Sequence, residues 1–526
     1  MNIKVNFTLI LLLFISNISA QDLKFGKVSK EEVEEKFYPE DSSAVAAYLY
    51  KYRRTHYEYN SNTGFVIVND YHIRIKVYDK KGVDYGNFDI NFYDPEDGKG
   101  DKITTLNGYV FNLDEKGNLD KQKLGKDNIF KERINKFRAT NKIAMPNVKE
   151  GSVIDLEYSI SSPFIYYIDD LEFQSAIPYK KYYAKIEIPD WFVFNKYAKG
   201  YFSIPPKTAS NSKTINVTQR GSSYTIVGSG NSVQSYSETL NFKTDEYEAD
   251  NIPALKDDEP YVSNIDNYYG GISYELSMTR FPNQPFETFT NTWEKVCKTI
   301  YDSKGFGDQV EPANFYKDDV AAATASATNQ FEKIAAIFSL VKSKVKWNEY
   351  YGKYSTEGIR NAYKEGTGNA ADINLLLTSM LNSVGVNANP VLVSTRNNGI
   401  PFFPTLEGFN YVISMVEFND GSYMLLDATE PYSLPNILPV RALNWNGRRV
   451  TKDGFSNWVK LTPNKPSESD YNLIVKVTND GLVEGLLRKR SENLNAMQER
   501  NMYNHVKEDA LIKMFEERYN IEIVGR

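Results

Sequence analysis

Through the first half of the chain, apolar residues alternate with polar ones. In 71–77, Tyr71, Ile73, Ile75 and Val77 alternate with His72, Arg74 and Lys76, the period of a strand with one wetted face. On that pattern His72 points to solvent. Similar runs bounded by Gly, Asn and Asp recur at 103–111, 152–160, 182–188, 223–227 and 239–242. Their rhythm predicts a β-sandwich over 44–245. Ahead of it, Ser29-Lys30-Glu31-Glu32 has the form of a capping box and predicts a short charged helix within 21–43, ending near Pro39.

A stretch rich in Pro and Asp, 250–260, breaks the alternation and reads as a linker, opening a helical seam over 246–315. The period then becomes helical. Trp293, Val296, Cys297 and Ile300 share one face, as do Phe331, Ile334, Ala335, Phe338, Val341 and Val345. A third helix is expected over 369–383, stopped by Gly385. Strands return at 390–395, 411–417 and 422–426, so 316–445 reads as an α+β domain. In 456–526, the runs 473–477 and 482–487 flank Asn479-Asp480-Gly481, a hairpin signal. A charged helix follows, and then Ile521 and Ile523 begin an alternation cut off at Arg526. The expected architecture is multi-domain α+β: an N-terminal β-sandwich, a central α+β domain and a partial C-terminal β domain.

Composition narrows the function. The 526 residues suffice for about three domains, each with its own core. Lys and Arg total 62 against 68 Asp and Glu, for a net charge of -6, and the basic residues are scattered, so nucleic acid is not an expected partner. One Cys excludes an intramolecular disulfide, and three His (His56, His72, His505) leave little for a metal centre. No cofactor is expected. Residues 1–20 read as a signal peptide: Lys4, then an apolar run over 9–15, then Ser19-Ala20 before Gln21. No later run is apolar enough for a transmembrane anchor. The expected location is the periplasm, the cell surface or the medium.

The segment Gly366-Thr367-Gly368-Asn369-Ala370-Ala371-Asp372, with its apolar helix and then Val384-Gly385-Val386, resembles the nucleophile helix of transglutaminase-like domains. That papain-related family carries Gly-x-Cys-x-Asp there. Gly408-Phe409-Asn410-Tyr411-Val412-Ile413 is similar to the family's strand bearing His, and Tyr423-Met424-Leu425-Leu426-Asp427 to the strand ending in Asp. Upstream, Val345-Lys346-Trp347-Asn348 is similar to the Trp-containing segment before the nucleophile. The resemblance covers roughly 120 residues and implies a Cys thiolate activated at a helix start, a His base and an orienting Asp.

Laid on that pattern, the nucleophile position is Ala370, the base position is Tyr411, and only Asp427 matches. Alanine has no nucleophile, and a phenol with an ordinary pKa near 10 is a poor base at neutral pH. The lone Cys297 lies outside the motif on an apolar helical face, and no His falls between His72 and His505. The expectation is a pseudoenzyme.

Plainer readings exist for each position. Asn369 and Asp372, three apart at a helix start, suit a cap and a first-turn charge. Asp427 suits the end of a strand, and Trp347 and Tyr411 suit a core or pocket wall. Phe402, Phe403 and Asn410 lie in or beside the loop 397–404, which the resemblance places near the old cleft as a contact surface. The letters Gly366-x-Gly368-x-x-Ala371 match a dinucleotide fingerprint but do not follow a strand. Residues 112–120 mimic a calcium loop, yet Lys116 takes a ligand position, which leaves a hairpin turn.

The N-terminal region also resembles a known type. The segments 104–113, 142–151, 152–158 and 161–163 look like the uncharacterised β domain preceding transglutaminase-like domains in exported Gram-negative bacterial proteins. That match spans about 44–242, with Asn251-Ile252-Pro253-Ala254-Leu255 similar to its exit. It implies a further C-terminal β domain in relatives, so a truncated chain is expected. The functional expectation is an exported, catalytically inactive binding or scaffold module for peptide, protein or envelope glycan. Alternatives are an enzyme working through carboxylates, for example Asp372 and Asp427, and a purely structural envelope component.

Overall fold

A computed structural model describes residues 23–524 except 61–63, 96, 135–136, 226–227, 257, 259–260, 283, 290–291 and 464. The expected signal peptide, 1–20, lies outside the described residues. The chain folds into two compact units. One comprises residues up to 260 with Tyr268–Glu287, and the other Tyr261–Asn267 with the chain from Thr288 onward.

The first unit is built on an eight-stranded sheet. Its order is Lys207–Thr225, Gly228–Ile252, Tyr179–Pro189, Ala46–Asn60, Gly64–Val77, Val153–Ser162, Lys102–Leu113 and Leu119–Lys123. All neighbours are antiparallel except Ala46–Asn60 with Tyr179–Pro189. Two smaller sheets pack on one face. Asn87–Tyr93, Arg138–Ala144 and Ile129–Arg133 place Ile90 and Ile143 against Ile75, Val77 and Leu156. Phe192–Lys199, Gly271–Thr279 and Tyr167–Glu172 form the other, where the Tyr274 and Tyr247 hydroxyls lie 2.8 Å apart and Phe192 stacks on Tyr57. The anticipated sandwich is thus one long sheet with two partial partners. The 112–120 segment is a hairpin turn, in which the Asp114 carboxylate accepts from the Lys116 and Asn118 amides.

The expectation for His72 fails. His72, Arg74 and Lys76 are all buried, because the segment from Lys24 to Glu34 lies over their face. Arg74 donates to the carbonyls of Lys24 and Lys27 and to Glu32, and Lys76 donates to the carbonyl of Val33. Helix Lys30–Glu34 opens with the anticipated capping box on Ser29 and Glu32, but ends well before Pro39. Alternation fixed which residues share a face, not that a second layer covers the polar one.

The seam also moves. Strand Gly228–Ile252 runs through the start of the expected linker, and Gly271–Thr279 returns to pair with Phe192–Lys199. The 246–315 seam is therefore divided between the units. In the second unit, Trp293–Tyr301, Gln330–Lys344 and Ala370–Ser383 are the expected helices. Phe331, assigned to an apolar face, is exposed and lies against Phe418. The antiparallel sheet runs Tyr423–Leu426, Tyr411–Glu417, Ala388–Val393, Asn446–Val450, Ser456–Lys460. The hairpin Ser469–Val477 and Val483–Ser491 forms on its turn as anticipated. It lies within the second compact unit, where Asn501 and Asn504, from the helix that follows and its cap, donate to Glu430 and to the Tyr432 hydroxyl.

Candidate functional site

Helix Ala370–Ser383 is the centre of the second unit. Every residue from Ala370 to Leu381 is buried, and its polar residues Asp372, Asn374, Thr378 and Ser379 are each hydrogen-bonded. Asn369 caps it, accepting from the Asp372 amide at 2.8 Å while Asp372 accepts from the Asn369 amide at 2.9 Å. Gly368 is needed immediately before: a Cβ there would fall 2.7 Å from the Cβ of Asp372. Gly385 ends the helix at φ +79°.

The short strands Lys346–Trp347 and Thr367–Gly368 pair in parallel, with Trp347 opposite Gly368, and so bring Trp347 to the helix start. A sharp turn follows, with Glu349 at φ 68°. It swings the Tyr350 carbonyl into place to accept from the Ala370 amide at 3.2 Å and from Trp347 Nε1 at 3.0 Å. First-turn amides at a helix N-terminus are the donors that bind a developing oxyanion. Here the Ala370 amide is already taken by a carbonyl.

Strand Tyr411–Glu417 carries Tyr411 and the neighbouring strand delivers Asp427, both fully buried. Tyr411 Oη donates to Asp427 Oδ2 at 2.9 Å and lies 2.7 Å from Thr429 Oγ1. Arg441 closes the group, donating to Thr429 Oγ1 at 2.7 Å and to Tyr411 Oη at 3.3 Å, with its guanidinium 4.1 Å from the Trp347 ring centroid. Burial first, and the Asp427 carboxylate second, push the Tyr411 phenol well above its ordinary value of 10. It stays a neutral donor at physiological pH.

Asp427 is consumed by this arrangement. Oδ1 accepts from Asn374 Nδ2 at 2.9 Å and from both the amide and the hydroxyl of Thr429, and Oδ2 from Tyr411. Asp372 is consumed by the cap, with Oδ1 accepting from Ser355 and the Thr356 amide. Each oxygen of both carboxylates therefore accepts at least one hydrogen bond.

The remaining expected site residues separate. Asn410 holds its own strand end, exchanging bonds with the amide and hydroxyl of Thr395. Phe402 is 62% exposed and approaches Trp445, and Phe403 is half-buried. Of the nine residues singled out, the structure gathers Trp347, Asn369, Ala370, Asp372, Tyr411 and Asp427. Sequence reasoning missed Arg441, Thr429, Tyr350 and Asn374. Only Asn374 left a signal, as a polar residue four positions after Ala370 inside an apolar helix. Beside Trp347 a cavity of about 200 Å³ remains, lined in part by Lys346, Thr429 and Glu430. It is smaller than the roughly 300–1,000 Å³ of small-molecule sites.

Residues 318–428 match the family model of the transglutaminase-like superfamily. No curated protein matches the chain. Among solved structures, a candidate protease from Parabacteroides distasonis is similar over 80% of this chain and 72% of its own, at 15% identity and a TM-score of 0.52. A candidate cysteine protease from Cytophaga hutchinsonii aligns over 62% of this chain and 88% of its own, at 9% identity and a TM-score of 0.20. The first likeness is one of fold. With the helix, the two strands and the Trp segment assembled in family order, residues 318–428 are a transglutaminase-like domain.

Proposed function

We propose that the chain is an exported, non-catalytic transglutaminase-like protein acting as a binding or scaffold module for peptide, protein or envelope glycan. The observation that carries this reading is the closed group around Tyr411. Where the family's base belongs, a neutral phenol is locked between Asp427, Thr429 and Arg441. The nucleophile position is an alanine whose amide is already bonded. On this reading any binding role falls to surfaces other than the Tyr411 group. Export rests on the pattern of residues 1–20.

The chain as given is expected to be inert in thiol-dependent amidase and transamidase assays, and turnover of an amide substrate by it sinks the reading. Ala370→Cys reports on closure. Its thiol is expected to resist alkylation in the native chain, like that of buried Cys297, and to react on unfolding. Rapid native labelling means an open cleft. In that event Ala370→Cys with Tyr411→His is the variant to assay for regained activity. Export is checked by the N-terminal residue of protein made from the full chain, expected to be Gln21.

A further inference from the structure

Beyond the segment 24–34, the same face of the first unit's long sheet carries a second polar assembly. Strand register sets Tyr183, Tyr52, His72, Glu157 and Asn107 side by side across five strands. The next row on the same face is Arg54, Asp70, Ser159 and Thr105. The segment around Leu23 and Phe25 rises at one end as a wall, its Phe25 ring 5.7 Å from that of His72. Against the wall lies a cavity of about 540 Å³ lined by Tyr50, Tyr52, Asp70, His72, Glu157 and Ser159, among others. That volume suits a small-molecule or short-oligomer ligand.

The lining is held in place. His72 Nε2 is 2.7 Å from Asp155 Oδ1, and Asp155 in turn accepts two bonds from Arg74 and one from the Gly26 amide. Tyr50 meets the His72 ring edge-on at 5.3 Å. Tyr52 stacks against Tyr183 with rings 5° from parallel, and Tyr50 lies 5.9 Å from it, so the aromatic part of the lining is packed in place. Two carboxylates are anchored: Glu157 Oε1 accepts from Asn107, and Asp70 Oδ1 accepts from Ser159 while its Oδ2 lies 3.7 Å from His56 Nδ1.

We propose that this face binds a neutral saccharide. A sugar ring has an apolar face that lies on a flat aromatic surface, and an edge of hydroxyls that donate to planar acceptors held at fixed angles. Tyr52, which lines the cavity and is backed by Tyr183, supplies the first, and Asp70 with Glu157 the second. The basic side chains beside the cavity are already paired, Arg54 with Glu187 at 2.6 Å and Lys185 with Glu246 at 3.1 Å, so Asp70 and Glu157 are the charged groups a ligand's donors meet. The inference gives the proposed binding role a ligand class and rests on that reading, yet it involves no residue of the transglutaminase-like domain.

The test is calorimetric titration of the full chain with maltotriose, cellotriose and chitotriose, beside a Lys-Arg-Lys peptide as the competing class. Binding of at least one saccharide is expected. It should weaken about tenfold or more in Tyr52→Ala, weaken in the isosteric Glu157→Gln, and survive in Tyr52→Phe. Three results overturn the proposal: no saccharide binding at millimolar concentration, tighter binding of the basic peptide, or saccharide binding unchanged in both Tyr52→Ala and Glu157→Gln. Amide turnover in the earlier assay would sink the non-catalytic reading while leaving this outcome untouched, so the two failures are distinguishable.

Discussion

Each unit buries one aspartate completely and surrounds it with an arginine and a ring, and the two do so to different ends. In the first, Asp155 binds Arg74 and His72, the N-terminal segment covers the arginine, and the ring lines an open cavity. In the second, Asp427 binds Tyr411, and Arg441 closes over the phenol beneath Trp347. A buried carboxylate must be fully hydrogen-bonded or it destabilises the fold. Both centres meet that demand, so a well-satisfied aspartate beside a ring is no sign of catalysis. The ring's chemistry and its access to a ligand decide that. The second unit sets a neutral phenol against its aspartate under Arg441 and Trp347, while the first sets a buried imidazole against its own at the edge of a cavity.

The comparison is tested most severely at Asp155. Asp155→Ala strips a fully buried Arg74 of its main acceptor and is expected to cost about 3–5 kcal/mol, read as a drop in the urea midpoint of the first unit. If the loss is below about 1 kcal/mol, Glu32 and the backbone carbonyls suffice for Arg74, and the two centres are not equivalent. Acid sharpens the same point. Burial pushes the Asp155 carboxyl up, but His72 and Arg74 outweigh it and hold the carboxyl below its ordinary 3.8. A depressed folded value contributes stability that is present above the ordinary carboxylate range and lost as pH falls through the folded value. The stability gap between the parent and Asp155→Asn should therefore be full near neutrality and shrink below about pH 4.

Tyr411→Phe comes next in size. It removes one hydroxyl and leaves Asp427 Oδ2 and the Arg441 Nε proton short of a partner, at an expected cost of about 1–3 kcal/mol in thermal unfolding. No cost, or a gain, would mean that the phenol is not a structural clamp, and the proposed closure around Tyr411 would lose its physical basis.

Much of this second centre was legible in the sequence, because a Gly-x-x-x-Asp helix start, two strands and a Trp segment are local patterns with fixed spacing. The helix Ala370–Ser383 and the hairpin after Val477 followed from apolar periodicity and turn chemistry. Arg441, Thr429 and Tyr350 were not legible: they reach the site through loops whose paths no periodicity encodes. The first centre was misread for a different reason. Alternation in 71–77 separates two faces correctly, but nothing in it says that residues 24–34, some forty positions upstream, will lie across the polar one. Strand Gly271–Thr279 was missed in the same way, since its partner Phe192–Lys199 is distant in sequence.

The smallest effects come from a motif that both units use. Ser29 with Glu32 and Asn369 with Asp372 are capping boxes of the same pattern, one at the surface and one buried. Losing an N-cap side chain costs about 0.5–2 kcal/mol. Asn369→Ala should fall at the upper end, because Asn369 Nδ2 also donates to the Tyr354 carbonyl at 3.0 Å and to Thr356 Oγ1 at 2.6 Å, leaving both short of a donor. Ser29→Ala should fall at the lower end, since water can replace the lost acceptor at an exposed helix start. The pair is measured by chemical denaturation of the two variants side by side. Equal losses would show that the cap bond alone sets the cost, and that burial of the helix start at Ala370 adds nothing to it.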